Sequence, residues 1–305
     1  MNSLNGLFRY LLVPLDGSRL AEAVLPATIR LAQASRASVT LLHVIERDAP
    51  SSIHGERHLC DPEEAWAYLD EIKVRPAAEG IQVDCHVHEV AEGNVARSIV
   101  EHSEELGNDL IMLSTHGRSG VRSLLVGSIA QQVLGTGSRP VFVVHPDSPT
   151  DSFTCRRIAV PLDMEKAHER SLPIALALAG SLRAILHLVT VVPRRSDLAG
   201  SQGTAGRFFP LATSAGLDIT EEAAQRYLRE MTDRLGAGEH PDLAIRWHVL
   251  RGEPVASLVS FFDKENVDLA VMASHATRGW RAFWEGSVTP RILTQWRRPV
   301  LLVRA

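Results

Sequence analysis

The chain has 305 residues, 45% of them apolar, which is enough to bury a sizeable core, and its length suggests two domains. Its 32 Lys and Arg against 36 Asp and Glu leave a formal charge of −4, so phosphate backbones find no general attraction and nucleic acid is set aside as a partner. No apolar run approaches the ~18 residues of a membrane span, no leader pattern opens the chain, and Cys60, Cys85 and Cys155 lack CxxC spacing and read as free thiols. A cytoplasmic protein that avoids membranes is expected.

In chain order, apolar β-branched runs predict strands at Tyr10–Leu15, Val39–Ile45, Val83–Glu89, Leu110–Leu113 and Val141–His145. Between the first two, Leu20, Val24, Ala27 and Leu31 form one helical stripe. A second set of strands follows at Ile158–Leu162, Ile185–Val192, Ile245–Leu250, Leu269–Ala273 and Val300–Val303. The second set is a copy of the first. LLVPLDG from Leu11 returns as IAVPLDM from Ile158, and NDLIMLSTHGRSG returns as VDLAVMASHATRG. Spacing between counterparts is larger at the second anchor than at the first, which places an insertion in the second copy, within 193–216, read as a mobile cover. The expected domains are 1–148 and 154–305, joined by the Pro-containing linker His145–Cys155. Strands alternating with helices predict an α/β fold, a parallel sheet covered by helices.

In such a sheet a ligand sits beyond the carboxyl ends of the strands, where the winding reverses. There the first copy carries Asp16-Gly17-Ser18 after strand one and Ser114-Thr115-His116-Gly117 after strand four. Gly127-Ser128 then opens the last helix, whose free N–H groups suit phosphate. Taken one at a time, these residues read equally well as a turn, a turn and a helix cap.

Together they are more specific. SxxG, nine residues, then GS after DLIML resembles the GxxG, nine residues, G and S or T motif of the universal stress protein family, and VPLDGS, LLHVIE, the EG turn and RPVFVV extend the resemblance over both copies. The resemblance implies two doubly wound domains with strand order 3-2-1-4-5 and an ATP site, with magnesium as a companion ion. It puts base and ribose contacts on Pro14, Asp16 and Val44, places Leu113, Ser114, His116 and Gly117 around ribose and phosphates, and has Gly127, Ser128 and Ile129 hold the phosphates. Ser114 departs from the motif, which has glycine there.

The second copy matches at Pro161, Asp163, Val191, Met272, His275, Gly286, Ser287 and Val288, but both loop glycines are alanine, Ala273 and Ala276, so a weaker second site is expected. Family precedent is pairing through the final strand, which implies a homodimer or an intramolecular pseudo-dimer; an exposed VFVV or VLLV edge would invite aggregation. An unknown protein partner completes the expected set. No residue except His116 stands out as a positioned base, so a regulatory binder is expected, with weak ATP hydrolysis or nucleotidyl transfer ranked last. The alternative is an interaction module whose pockets have decayed. His54, His58 and Cys60 share a loop and His86 and His88 share a strand face, yet such histidines are more often surface residues, and no metal is expected on them.

Overall fold

Five apolar runs of the first repeat form strands β1 (Tyr10–Pro14), β2 (Ser38–Glu46), β5 (Val83–Glu92), β6 (Leu110–Ser114) and β7 (Val141–Val144), with a short hairpin, β3 (Ser52–Ile53) and β4 (Glu56–Arg57), set between them. The second repeat supplies β8 (Arg157–Pro161), β9 (Ile185–Val192), β10 (Ile245–Arg251), β11 (Leu269–Ser274) and β12 (Val300–Arg304). The computed structural model describes residues 7–49, 52–53, 56–115, 127–148, 153–197, 210–236, 242–274 and 288–304.

By contacts the chain divides into residues 1–154 with 274–304, and residues 155–273. In the first unit the strands run β5-β2-β1-β6-β7, all parallel, which is the order 3-2-1-4-5. Beyond β7 the same unit adds β12 antiparallel, with Val300 opposite Val143 and Leu301 opposite Phe142. In the second unit the order is β10-β9-β8-β11, again parallel. The fold is therefore two tandem α/β domains, each built on about five strands with flanking helices.

Central strands buried on both faces need continuous apolar sequence, and Leu11, Leu12, Val13, Leu110, Ile111 and Met112 are sealed from solvent, as are Ile158, Ala159 and Val160. The predicted stripe lies on helices Arg19–Glu22 and Leu25–Ser35, separated because Pro26 can start a helix but not continue one. Val24, Ala27 and Leu31 are buried there. In the second repeat, part of the segment read as a cover is helical: helix Pro210–Gly236 starts inside it and packs on β9 and β10, while 198–209 lie outside the described residues.

The duplication reaches the backbone itself. Asp109 accepts the N–H groups of Arg9 and Tyr10 at 2.7 and 3.1 Å, and its counterpart Asp268 accepts those of Arg156 and Arg157 at 2.7 and 2.9 Å. Left-handed residues recur in register: Phe8 with Cys155, Arg36 with Arg183, and Gly17 with Met164. Among the described residues no helix is long and apolar enough to cross a membrane.

Candidate functional site

Register decides what meets at the carboxyl edge. Pro14 pairs with Leu42, Leu12 with Ile111, and Ser114 with Val144, so the register sets Val44 of β2 level with Asp16 and Ser114 level with Leu15, the residue before it, at the carboxyl edge of β1 and β6. Asp16 folds its own turn: its Oδ1 accepts the N–H of Ser18 at 2.9 Å, and Ser18 in turn caps helix Arg19–Glu22 by accepting the N–H of Ala21. Between them Gly17 has φ +86°, and a Cβ there would stand 2.9 Å from the Leu59 side chain, so conformation and space both call for glycine.

His43, on β2 and 1% exposed, fastens this turn from below. Its Nδ1 lies 2.8 Å from the Leu15 carbonyl and its Nε2 3.1 Å from that of Leu59, tying the loop after β1 to the segment that covers Gly17. Burial pushes its pKa below the ordinary imidazole value, against the opposing pull of the two carbonyls.

Ser114 ends β6, and its hydroxyl is buried with no hydrogen-bond partner among the described residues. Thr115, next to it, is occupied: its N–H and its hydroxyl both donate to the Val144 carbonyl, at 2.7 and 3.3 Å. Gly127 opens helix Ser128–Thr136 with no side-chain cap among the described residues, and Ser128 is exposed there, so the amides of its first turn suit an acceptor. Pro14 and Ile129 are half-buried, and Val44 and Leu113 are buried. His116 and Gly117 lie outside the described residues.

The second repeat keeps the turn and changes its chemistry. Asp163 Oδ1 accepts the N–H of Glu165 at 3.1 Å, as Asp16 does for Ser18, but Asp163 Oδ2 is held by His168 Nδ1 at 2.6 Å. Met164 occupies the left-handed position of Gly17 with φ +69° and is exposed. Asp163, Glu165 and His168 bring ligand atoms within 4.8 Å of one another, although both carboxylates are solvent-exposed. Pro161, Val191 and Ala273 are half-buried and Met272 is buried. Val288 begins helix Val288–Gln295, while His275, Ala276, Gly286 and Ser287 lie outside the described residues.

The histidines grouped by sequence separate in space. His54 lies outside the described residues; His58 is buried, with Nε2 3.8 Å from Glu46 Oε2 and with Nδ1 unpartnered among the described residues, and Cys60 is exposed. His86 and His88 instead meet His102, a residue that sequence reading passed over although Ala96, Ile99 and His102 share one helical stripe.

A duplicated, doubly wound α/β architecture with polar turns gathered at the carboxyl edge defines a class of small-molecule-binding folds. The family model described as the universal stress protein family matches residues 8–145 and again 154–304, and the chain belongs to that family. A universal stress protein of Mycolicibacterium smegmatis is 25% identical over 314 residues, covering 96% of each chain. Universal stress protein YxiE of Bacillus subtilis is 30% identical over 152 residues, which are 46% of this chain and all of that one. Among solved structures, a universal stress protein from Archaeoglobus fulgidus superposes with a TM-score of 0.73 at 19% identity, covering 99% of this chain and 98% of that one.

Proposed function

We propose that this protein is a regulatory, non-catalytic member of the family that binds ATP, with magnesium as its companion ion, chiefly in the first repeat, and passes the bound state to a protein partner. Base and ribose are assigned to Pro14, Asp16 and Val44, the ribose-phosphate region to Leu113, Ser114, His116 and Gly117, and the phosphates to Gly127, Ser128 and Ile129. The observation that carries this reading is the Ser114 hydroxyl, buried and without a partner among the described residues, at the carboxyl end of β6 and level with Leu15, the residue before Asp16. The uncapped start of helix Ser128–Thr136 adds donors suited to phosphate. The repeats are taken as 1–148 and 154–305, in a cytoplasmic protein that works as a homodimer or as a pseudo-dimer of its own repeats.

In the second repeat a different reading is favoured. His168 already holds Asp163, and a methionine replaces the turn glycine, which points to a fold kept as an interaction surface. Titration calorimetry with ATP on wild type, Asp16→Ala, Gly117→Val and Asp163→Ala tests both. One tight site per chain is expected, weakened about tenfold by Asp16→Ala, a loss of about 1.4 kcal/mol. Gly117→Val abolishes it and Asp163→Ala leaves it unchanged. Two equal sites would overturn the division between repeats, and no binding in wild type would extend the interaction reading to the whole chain.

A further inference from the structure

His86 and His88 project from the same face of β5, the edge strand of the first unit, toward helix Val95–Glu105. His102 on that helix receives both: its ring centre lies 4.9 Å from that of His86 and 4.9 Å from that of His88. His102 is 7% exposed, and its Nδ1–H donates to the Ser98 carbonyl at 2.8 Å. That bond fixes the tautomer and leaves the Nε2 lone pair for another partner. Among the described residues no hydrogen bond engages Nε2 of His102 or either ring nitrogen of His86. Glu92 stands beside His88, with 3.4 Å between Oε1 and Nε2.

In the second repeat the same place holds an imidazole pair and a phenyl ring, with His187 Nδ1 3.0 Å from His248 Nε2. His86 lies opposite Leu42 and His248 opposite Val189, and these two strand positions correspond because each pairs with the matching proline of its first strand, Pro14 or Pro161. His102 is the eighth residue of helix Val95–Glu105, and Phe261 is the eighth of helix Pro254–Lys264. Phe261 fills that position with its ring centre 4.6 Å from His248. An aromatic hydrocarbon therefore suffices at the helix position of this place. The first repeat instead gathers three imidazoles there, at the desolvation cost of a buried polar ring.

We propose that His86, His88 and His102 form a binding site for a divalent transition metal of the kind that prefers imidazole, such as Zn2+, with the Glu92 carboxylate alongside to offset its charge. Two half-buried ligands come from an edge strand and the third from a rigid, carbonyl-anchored ring, which is the ligand number and type that such ions favour. Binding asks His86 and His88 to turn about their side-chain torsions toward His102 Nε2. His88 lies opposite Val44 on the neighbouring strand, but the metal assignment rests on the imidazoles alone and does not depend on the nucleotide reading.

The test is Zn2+ titration calorimetry on the full, tag-free chain, with Co2+ absorption as an optical probe of the ligand set. The variants are His102→Phe, which installs the residue of the second repeat, His88→Ala, and Asp163→Asn, which disarms the exposed carboxylate group. Wild type is expected to take one equivalent with a Kd of about 1 µM. His102→Phe, with its far-ultraviolet dichroism and cooperative melt retained, and His88→Ala are each expected to weaken binding about 100-fold, and Asp163→Asn is expected to leave it unchanged. Absence of binding in wild type, binding indifferent to His102→Phe, or binding lost in Asp163→Asn would each overturn the assignment.

Discussion

The Nδ1 atom of His43 stands 2.8 Å from the carbonyl oxygen of Leu15, one residue before the turn aspartate, while the opposite side of the ring reaches Leu59. Both partners are acceptors, so a neutral ring donates to one of them at a time. The second repeat places Thr190 at the corresponding position, buried and with its hydroxyl unpartnered among the described residues, so no such bridge is seen there. His43→Thr is therefore expected to destabilise the protein by about 2–4 kcal/mol, since it opens a cavity and strands a buried carbonyl. Urea denaturation measures the loss. Hydrogen exchange should show faster opening at residues 15–18 and 58–60 than elsewhere, and an unaltered exchange pattern there would count against the bridge.

Gly17 separates two costs that usually arrive together. Its φ of +86° disfavours any side chain, and the Leu59 side chain 2.9 Å from the would-be Cβ disfavours it again. Gly17→Ala is expected to cost about 2 kcal/mol. In a Leu59→Ala background the same substitution should cost about 1 kcal/mol, the conformational part alone, because the contact has been removed. Met164, already living at φ +69° in the second repeat, indicates that the conformational part is tolerable. Equal costs in the two backgrounds would mean that Leu59 yields without resistance.

Much of this fold was legible because central strands of a parallel sheet must be apolar throughout, and LLVP, LIML, IAVP and VFVV announce themselves without an alignment. The strand order came from the family resemblance, which the repeat extends over both copies. What escaped was local or distant in other ways. The hairpin β3–β4 has only two residues per strand, too few for any periodic signal. Helix Pro210–Gly236 begins in a Gly- and Ser-rich stretch, so its start carries loop composition although its later turns bury Ala224, Leu228 and Met231. Asp16 was readable from its motif, whereas the grip of His168 on Asp163 runs through an irregular loop that no spacing rule covers. The meeting of His86, His88 and His102 needed a strand and a helix to be docked first, although the helical stripe already put His102 on the buried side.

Several imidazoles are shifted in one direction, and acid should reveal it. Burial lowers the pKa of His43, His86, His145 and His248, and burial together with the neighbouring His248 lowers that of His187 to about 4. Their folded values lie below the unfolded 6.5, so between about pH 6.5 and 4 the unfolded chain binds protons that the folded chain refuses. Stability is therefore complete above about pH 6.5 and declines as the pH falls toward 4. His187 contributes strongly, being sealed from solvent with its Nε2 unpartnered. Denaturation midpoints at pH 7.5 and 4.5 should show a smaller acid loss in His187→Leu than in wild type. Parallel losses in the two proteins would place the acid sensitivity on other groups.

Ser114 gives a single substitution with two opposite readouts. Its hydroxyl is buried without a partner among the described residues, and a buried polar group left unsatisfied costs about 1–3 kcal/mol, so Ser114→Ala should raise the stability of the ligand-free protein by about 1 kcal/mol and its melting temperature by a few degrees. A core hydroxyl with no further role would show that gain and nothing else. On the proposed nucleotide site the hydroxyl is a donor waiting for the ligand, and its removal should lower ATP affinity about tenfold, about 1.4 kcal/mol. The added stabilisation that ATP gives should then shrink by a similar amount even as the ligand-free protein melts higher. Thermal melts of wild type and Ser114→Ala, each with and without ATP, read both signs in one experiment. A variant that melts higher and still gains the full wild-type increment from ATP would remove Ser114 from the site and leave its orphaned hydroxyl a purely structural cost.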